Sequence, residues 1–267
     1  MQDVSILLMD STRRLLSELS ERDASRTADA AHLSAGWLQI EEMGLPLAFV
    51  GEANGGLGLD QKTAFELVRM CGRHVLPYPV VETMLANRFA VAAGEALCEG
   101  PVASLDELTQ TEHEFAALAR AMQMAGALEA ILSMTLSHVQ ERSQFGRPIA
   151  KFQAVQHSLA LLASEVAAAT AAADHAVGRF EEGADSTTLV IGIARARVGE
   201  ACSKVSALAH QLHGAIGYTR EHRLRHFTTS VWKWRDEFGT QAWWTRRVGQ
   251  MVLARGRAEF WPMVTST

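Results

Sequence analysis

Two arginines flank a turn able to receive an anion: Arg142-Ser143-Gln144-Phe145-Gly146-Arg147-Pro148-Ile149, followed by Phe152-Gln153. The pattern is a helix end, a Gly/Pro break and a new helix start. Unsatisfied N–H groups at a helix start and the fork of a guanidinium both suit phosphate oxygens. A charged turn that merely caps two helices has the same composition, and both readings stand at this level. A second stretch, Gln211-Leu212-His213-Gly214-Ala215-Ile216-Gly217-Tyr218, contains glycines that leave the main chain open to close approach. For proton transfer, the run Arg235-Asp236-Glu237 ahead of Phe238-Gly239-Thr240 supplies carboxylates. Glu237 is the carboxylate nearest the Gly-Thr pair, although a neighbouring arginine would hold it ionised and weakly basic.

Other groupings carry less chemistry. His222 and His226 stand four apart on an expected helix, but no glutamate lies between them and Arg223 and Arg225 oppose a cation. No metal site is therefore expected. His210 and His213 suit the negative end of a helix dipole. The glycine-rich stretch 51–60 is not followed by Gly-Lys-Ser/Thr, so it is no P-loop. Trp232, Trp234, Trp243 and Trp244 crowd around the Arg235–Thr240 run, either as packing or as a wall beside a flat ligand.

Positioning these groups falls to helices. Hydrophobic residues make up 48% of the 267 and charged residues 21%, which excludes global disorder. Aromatic residues are only 7%, few for an all-β chain. The net charge of −5 argues against nucleic acid as the main ligand. Cys71, Cys98 and Cys202 form no pairing rhythm, which favours a reduced, cytoplasmic protein. The N-terminus reads as an amphipathic helix, and no apolar run approaches the ~20 residues of a membrane span. Helical spacing predicts elements near 1–22, 32–43, 61–75, 80–97, 111–142, 151–181, 185–214, 221–232 and 240–255. Thr111-x-x-Glu114 has the form of a capping box for the first long one, and Arg235 to Gly239 reads as a polar break. The expected fold is all-α: an N-terminal helical domain over 1–97, a short linker over 98–111, and an antiparallel four-helix bundle over 112–267.

The Arg142-x-x-Phe145-Gly146-x-Pro148-Ile149 turn with Phe152-Gln153 resembles the acyl-CoA dehydrogenase family. So does Gln211-x-x-Gly214-Ala215-x-Gly217-Tyr218 with Glu221 after it. The N-terminal Trp37, Met43-Gly44-Leu45 and Gly55-Gly56-Leu57-Gly58 are similar to further family segments. The resemblance implies an FAD enzyme that dehydrogenates an acyl-CoA thioester between its α and β carbons. It implies that Arg142 and Phe145 lie against the FAD pyrophosphate and adenine of a neighbouring subunit, with Gln153 close by. The stretch Gln211, Leu212, His213, Gly214 and Ala215 would line the pyrophosphate, and Thr240 would belong to the same cofactor site.

Three departures shape the expectation. The family's middle β-barrel covers the flavin, yet fewer than two dozen residues separate Phe89 from Thr111, too few for several strands. The barrel is expected to be absent or vestigial. The family's usual base position falls on Phe238 and its other base position on Ala116, leaving Glu237 as the candidate catalytic base and Glu114 two residues from the second. Ala215 replaces the second glycine of a pair. The resemblance then implies a shortened subunit of a heterotetrameric acyl-CoA dehydrogenase for bulky or steroid-derived substrates. A partner subunit with an intact β domain, or a second copy of this chain, would complete it, and an electron-transfer acceptor would reoxidise it. The alternatives are a flavin-free assembly subunit and a homo-oligomer using Glu237.

Overall fold

The computed structural model describes residues 2–23, 30–180, 186–259 and 261–262. It divides into two compact units, Met1–Glu112 and His113–Thr267. The first unit holds α1 (Gln2–Asp23), α2 (Ala30–Glu42), α3 (Gln61–Arg73) and α4 (Val80–Ala93). Asp60 caps α3 by accepting the Thr63 N–H at 3.0 Å. Gly94, at φ 74°, ends α4 earlier than the expected residue 97. The chain beyond it is tied back onto the unit. Cys98 N–H donates to Asn87 Oδ1 at 2.8 Å and Val102 N–H to Thr83 Oγ1 at 3.0 Å. Residues 94–109 contain no strand, so nothing barrel-like stands between the helical units.

The second unit is built from α5 (Gln110–Glu141), α6 (Gln153–Arg179), α7 (Thr187–His213), α8 (Arg223–Asp236) and α9 (Gln241–Arg255). The capping box of α5 is Thr109-x-x-Glu112, not Thr111-x-x-Glu114: Glu112 Oε2 accepts from Thr109 N–H at 2.8 Å and from its hydroxyl at 2.6 Å. Two Thr-x-x-Glu frames overlap in the sequence, and burial of Phe115 onward fixes which one opens the helix. Glu114 is instead buried, accepting from Thr188 Oγ1 at 2.8 Å.

The chain path can be followed from side-chain contacts. His138 near the end of α5 stacks on His213 at the end of α7, so these helices run parallel. The α6 helix returns between them, with Thr170 reaching Glu129 on one side and Glu165 pairing with Arg197 and Lys204 on the other. Both α8 and α9 run against α7. Thr228 meets His210, Arg235 meets Ser203, and Gln241 and Val248 press on Gly199 and Gly192. A Cβ at Gly192 would lie 2.6 Å from Val248, so glycine is what lets α9 approach. Together α8 and α9 form the fourth rod of the bundle, interrupted at Glu237-Phe238-Gly239-Thr240. The expected break at Arg235 is later than predicted because α8 continues to Asp236. Lys233 and Arg235 suit its last turn, and Trp234 is buried beneath them.

Leu118, Ile131, Leu162, Ile191, Val198, Val205 and Val231 are fully enclosed in the bundle core. Each such side chain contributes roughly 1.5–3 kcal/mol on burial. By length and composition α5 is apolar enough to cross a membrane, which corrects the expectation that no run is long enough. Its apolar window is 83% buried inside the fold, as befits a core helix.

Candidate functional site

The sequence-predicted residues fall into two groups within the bundle unit. The first lies at the end where α5 and α7 finish and α6 and α8 begin. There β1 (Ser143–Gln144) and β2 (Arg147–Pro148) pair antiparallel as a minimal hairpin, with Gln144 opposite Arg147. Its turn residues Phe145 and Gly146 both have positive φ, 51° and 77°. Left-handed backbone suits glycine but costs a phenylalanine roughly 1–2 kcal/mol. The Phe145 ring projects into solvent, 91% exposed, with the Phe152 ring edge-on at 6.1 Å. Arg142 is also exposed and makes no ion pair or side-chain hydrogen bond among the described residues. Arg147, by contrast, lies over the Phe152 ring, 4.2 Å from its centroid. Gln153 opens α6 with an exposed side chain.

The end of α7 lies at the same end of the bundle. Gln211 is exposed and Leu212 half-buried, while His213 is buried. Gly214 has φ 68° and ψ −149°, a conformation essentially reserved for glycine, and nothing lies near where a Cβ would project. Ala215 begins no such strain: positive φ is confined to other residues, so its methyl group is compatible with the short 3-10 turn it occupies. Gly217 is closely packed: a Cβ there would lie 3.0 Å from His213 Cβ.

The second group surrounds the break between α8 and α9. Glu237 forms an ion pair with Arg120, its Oε2 2.6 Å from Nη2, and lies 3.7 Å from Lys233. The Arg120 side chain is 1% exposed and Glu237 27%. Arg120 also bonds Gln123 and lies over the rings of Trp234 and Phe238. The neighbouring Arg235, expected to pair with Glu237, turns instead to Asp236 and Ser203. A second buried arginine secures the main chain: Arg195 Nη2 donates to the carbonyls of Arg235 at 3.1 Å, Glu237 at 2.6 Å and Gly239 at 2.8 Å. Burial, and then repulsion from Arg120, pulls the Arg195 pKa down to about 10. These bonds hold Phe238 at φ 51° and Gly239 at φ 91°. Thr240 caps α9 by accepting the Trp243 N–H at 3.2 Å. Trp244, fully buried, donates to the Phe238 carbonyl at 2.9 Å.

Both family base positions are therefore apolar. Phe238 sits against Arg120, Ala116 is sealed in the core, and the nearest carboxylates, Glu237 and Glu114, are held by buried or half-buried arginines. Arg120 and Arg195 escaped sequence reading. The signal was an arginine set in an apolar helix face, among Ala116 to Ala121 and beside Ala194. Along α5 and α7 the two groups are roughly 25–30 Å apart at 1.5 Å per residue.

Residues 107–235 match the acyl-CoA dehydrogenase C-terminal domain. Over that stretch, just under half of its length, the chain is similar to the acyl-CoA dehydrogenase family. Among curated acyl-CoA dehydrogenases, IpdE2 of Mycobacterium tuberculosis is 27% identical over 264 aligned positions, covering 75% of this chain and 81% of the relative. IpdE2 of Mycolicibacterium smegmatis is 36% identical over 110 residues, 41% of this chain and 33% of the relative. Glutaryl-CoA dehydrogenase of Desulfococcus multivorans is 36% identical over 102 residues, 38% of this chain and 26% of the relative. The matched stretch thus spans a third or less of two of these relatives. Among solved structures, a variant of the Tcur3481–Tcur3483 steroid ACAD matches with a TM-score of 0.79 at 20% identity, covering 96% of this chain and 99% of the other. The ChsE4–ChsE5 complex from Mycobacterium tuberculosis matches at 0.76 and 16%, covering 95% and 98%. At such identities these two matches speak for the fold alone.

Proposed function

We propose that this chain is one subunit of a heteromeric, FAD-dependent acyl-CoA dehydrogenase, and that it supplies the adenine and pyrophosphate half-site. The observation that carries this reading is the bundle-end hairpin: Phe145 exposed at a strained φ beside an Arg142 with no ion-pair or side-chain hydrogen-bond partner among the described residues. A side chain kept exposed at a cost in backbone energy is explained by a ligand or neighbour that covers it. An unpaired guanidinium, an exposed ring and a glycine-only turn also fit the phosphates and adenine of the cofactor. When bound, FAD supplies a two-electron acceptor for the hydrogens leaving the α and β carbons. This chain's part would be to bind and orient it.

The base and the cover for the flavin ring would come from a partner that retains a β domain. The strandless 94–109 segment and the commitment of Glu237 to Arg120 support that division. The roughly 25–30 Å between the two groups supports it too, because one chain's hairpin and helix break would face different ends of the assembly. A steroid-derived or similarly bulky acyl-CoA is the substrate class suggested by the steroid ACAD likeness. An electron-transfer protein would accept the electrons. The unpaired Cys71, Cys98 and Cys202 support a cytoplasmic setting.

The test is an absorption spectrum of the chain purified alone and together with an acyl-CoA dehydrogenase subunit carrying the β domain. Flavin bands only in the complex are expected. A chain that alone retains stoichiometric FAD and oxidises an acyl-CoA would overturn the reading in favour of a homo-oligomer. A flavinless complex would leave an assembly role.

A further inference from the structure

The bundle end also holds a cluster of three imidazoles to which the half-site reading gives no role, although His213 belongs to the stretch expected to line the pyrophosphate. His138 near the end of α5, His213 at the end of α7 and His222 before α8 each bring a ring nitrogen within 4.8 Å of the other two. The His138 and His213 rings stack at 4.3 Å, and His222 meets His213 edge-on at 4.9 Å.

His213 is prepared as a ligand. Its Nδ1 lies 2.8 Å from the Ala209 carbonyl, which can only accept, so the proton sits on Nδ1 and the lone pair on Nε2. The residue is 6% exposed, and its Nε2 has no hydrogen-bond partner among the described residues. A backbone carbonyl that fixes the tautomer while the other nitrogen stays free is the arrangement found around metal-bound histidines. The cluster also stands at the C-terminal, negative end of the long α7 helix, which favours a cation. The charges of Arg142 and Glu141 beside His138 oppose one another.

We propose that His138, His213 and His222 form a binding site for a divalent transition ion of the Zn2+ class, pinning the ends of α5 and α7 to the start of α8. Imidazole suits such ions, and solvent would complete a tetrahedral set. Ligation draws the nitrogens to about 3.3 Å from one another, as a tetrahedron with bonds of roughly 2.0–2.1 Å demands. The half-buried His138 and His222 make that adjustment, and His222 gives up the 3.2 Å bond it accepts from Leu224 N–H.

The experiment uses untagged, chelator-treated chain titrated with Zn2+ by calorimetry and with Co2+ by visible absorption. One equivalent of each is expected, with tetrahedral Co2+ bands and a raised melting temperature. His138→Ala and His222→Ala should each weaken binding by at least about tenfold. His226→Ala should leave it unchanged, since that ring turns to the Arg220 carbonyl. Circular dichroism of each variant verifies the fold, and the half-buried His138 and His222 keep the test independent of His213. No saturable binding by the parent chain, or binding that survives both cluster variants, overturns the proposal. The measurement needs neither flavin nor partner, so its failure is separate from failure of the subunit reading.

Discussion

The bundle carries two irregular regions that solve opposite problems. At the break between α8 and α9, every exceptional feature is tied down from within: Phe238 at positive φ, three carbonyls on Arg195, and Glu237 on Arg120. At the bundle end, Phe145 has the same φ with its ring 91% exposed and only edge-on to Phe152 among the described rings, and Arg142 has no ion-pair partner among the described residues. Strain that is compensated inside the chain is structural. Strain left exposed is an invitation to something outside it. The helix break is thus braced from within by Arg120 and Arg195, while the bundle-end turn stays open.

The largest effect should come from the brace. Arg120→Met strands a carboxylate and a glutamine, and breaking a buried pair costs about 3–5 kcal/mol. Because Glu237 keeps some solvent, the lower end is expected, read as a fall in the urea midpoint. A change below about 1 kcal/mol would mean that the pair is ornamental.

Acid should act at the other end. His213 is held at about 4 against 6.5 when unfolded, so the folded state binds fewer protons. Its contribution is complete above pH 6.5 and is lost as pH falls toward 4, up to about 3 kcal/mol. The stability of His213→Asn should therefore slope less across that window. Parallel pH profiles for mutant and parent would refute this.

Flavin retention separates two neighbouring arginines. Arg142→Ala should lose about 1.5–3 kcal/mol of FAD affinity, roughly ten- to hundredfold. Arg147→Ala, whose guanidinium already lies on Phe152, should lose much less. Equal flavin content in both variants would erase the distinction between free and committed cations.

The smallest effect is one of sign. Phe145→Gly relieves a left-handed phenylalanine and should stabilise the chain by about 1 kcal/mol, raising its melting temperature. Phe238→Gly relieves the same strain but removes a ring packed on Arg120 and His113, so it should destabilise. Shifts of the same sign would break the comparison.

Much of this architecture was legible in the residues. Gly44, Gly146, Gly214 and Gly256 stop or turn helices where a positive φ is required, and the last helix starts within one residue of the expected 240. The count of residues before α5 excluded a barrel. What could not be read depends on contacts distant in sequence. Periodicity assigns arginine to surfaces, so nothing local announced Arg120 meeting Glu237 or Arg195 gathering three carbonyls from the far side of the bundle. His138 met His213 and His222 only once α5 and α7 were known to end together. The helix that passes through Arg235 and Asp236 looked like a break because its exposed face is charged there, while Trp234 carries it inward.

The most direct test of the division between the two regions is to measure bound flavin and turnover in the assembled dehydrogenase carrying either Glu237→Gln or Arg142→Ala. The first variant should keep its flavin and stay within a few fold of the parent rate, while the second should lose flavin at least about tenfold. A flavin-loaded but inactive Glu237→Gln complex, with Arg142→Ala indistinguishable from the parent, would contradict the account.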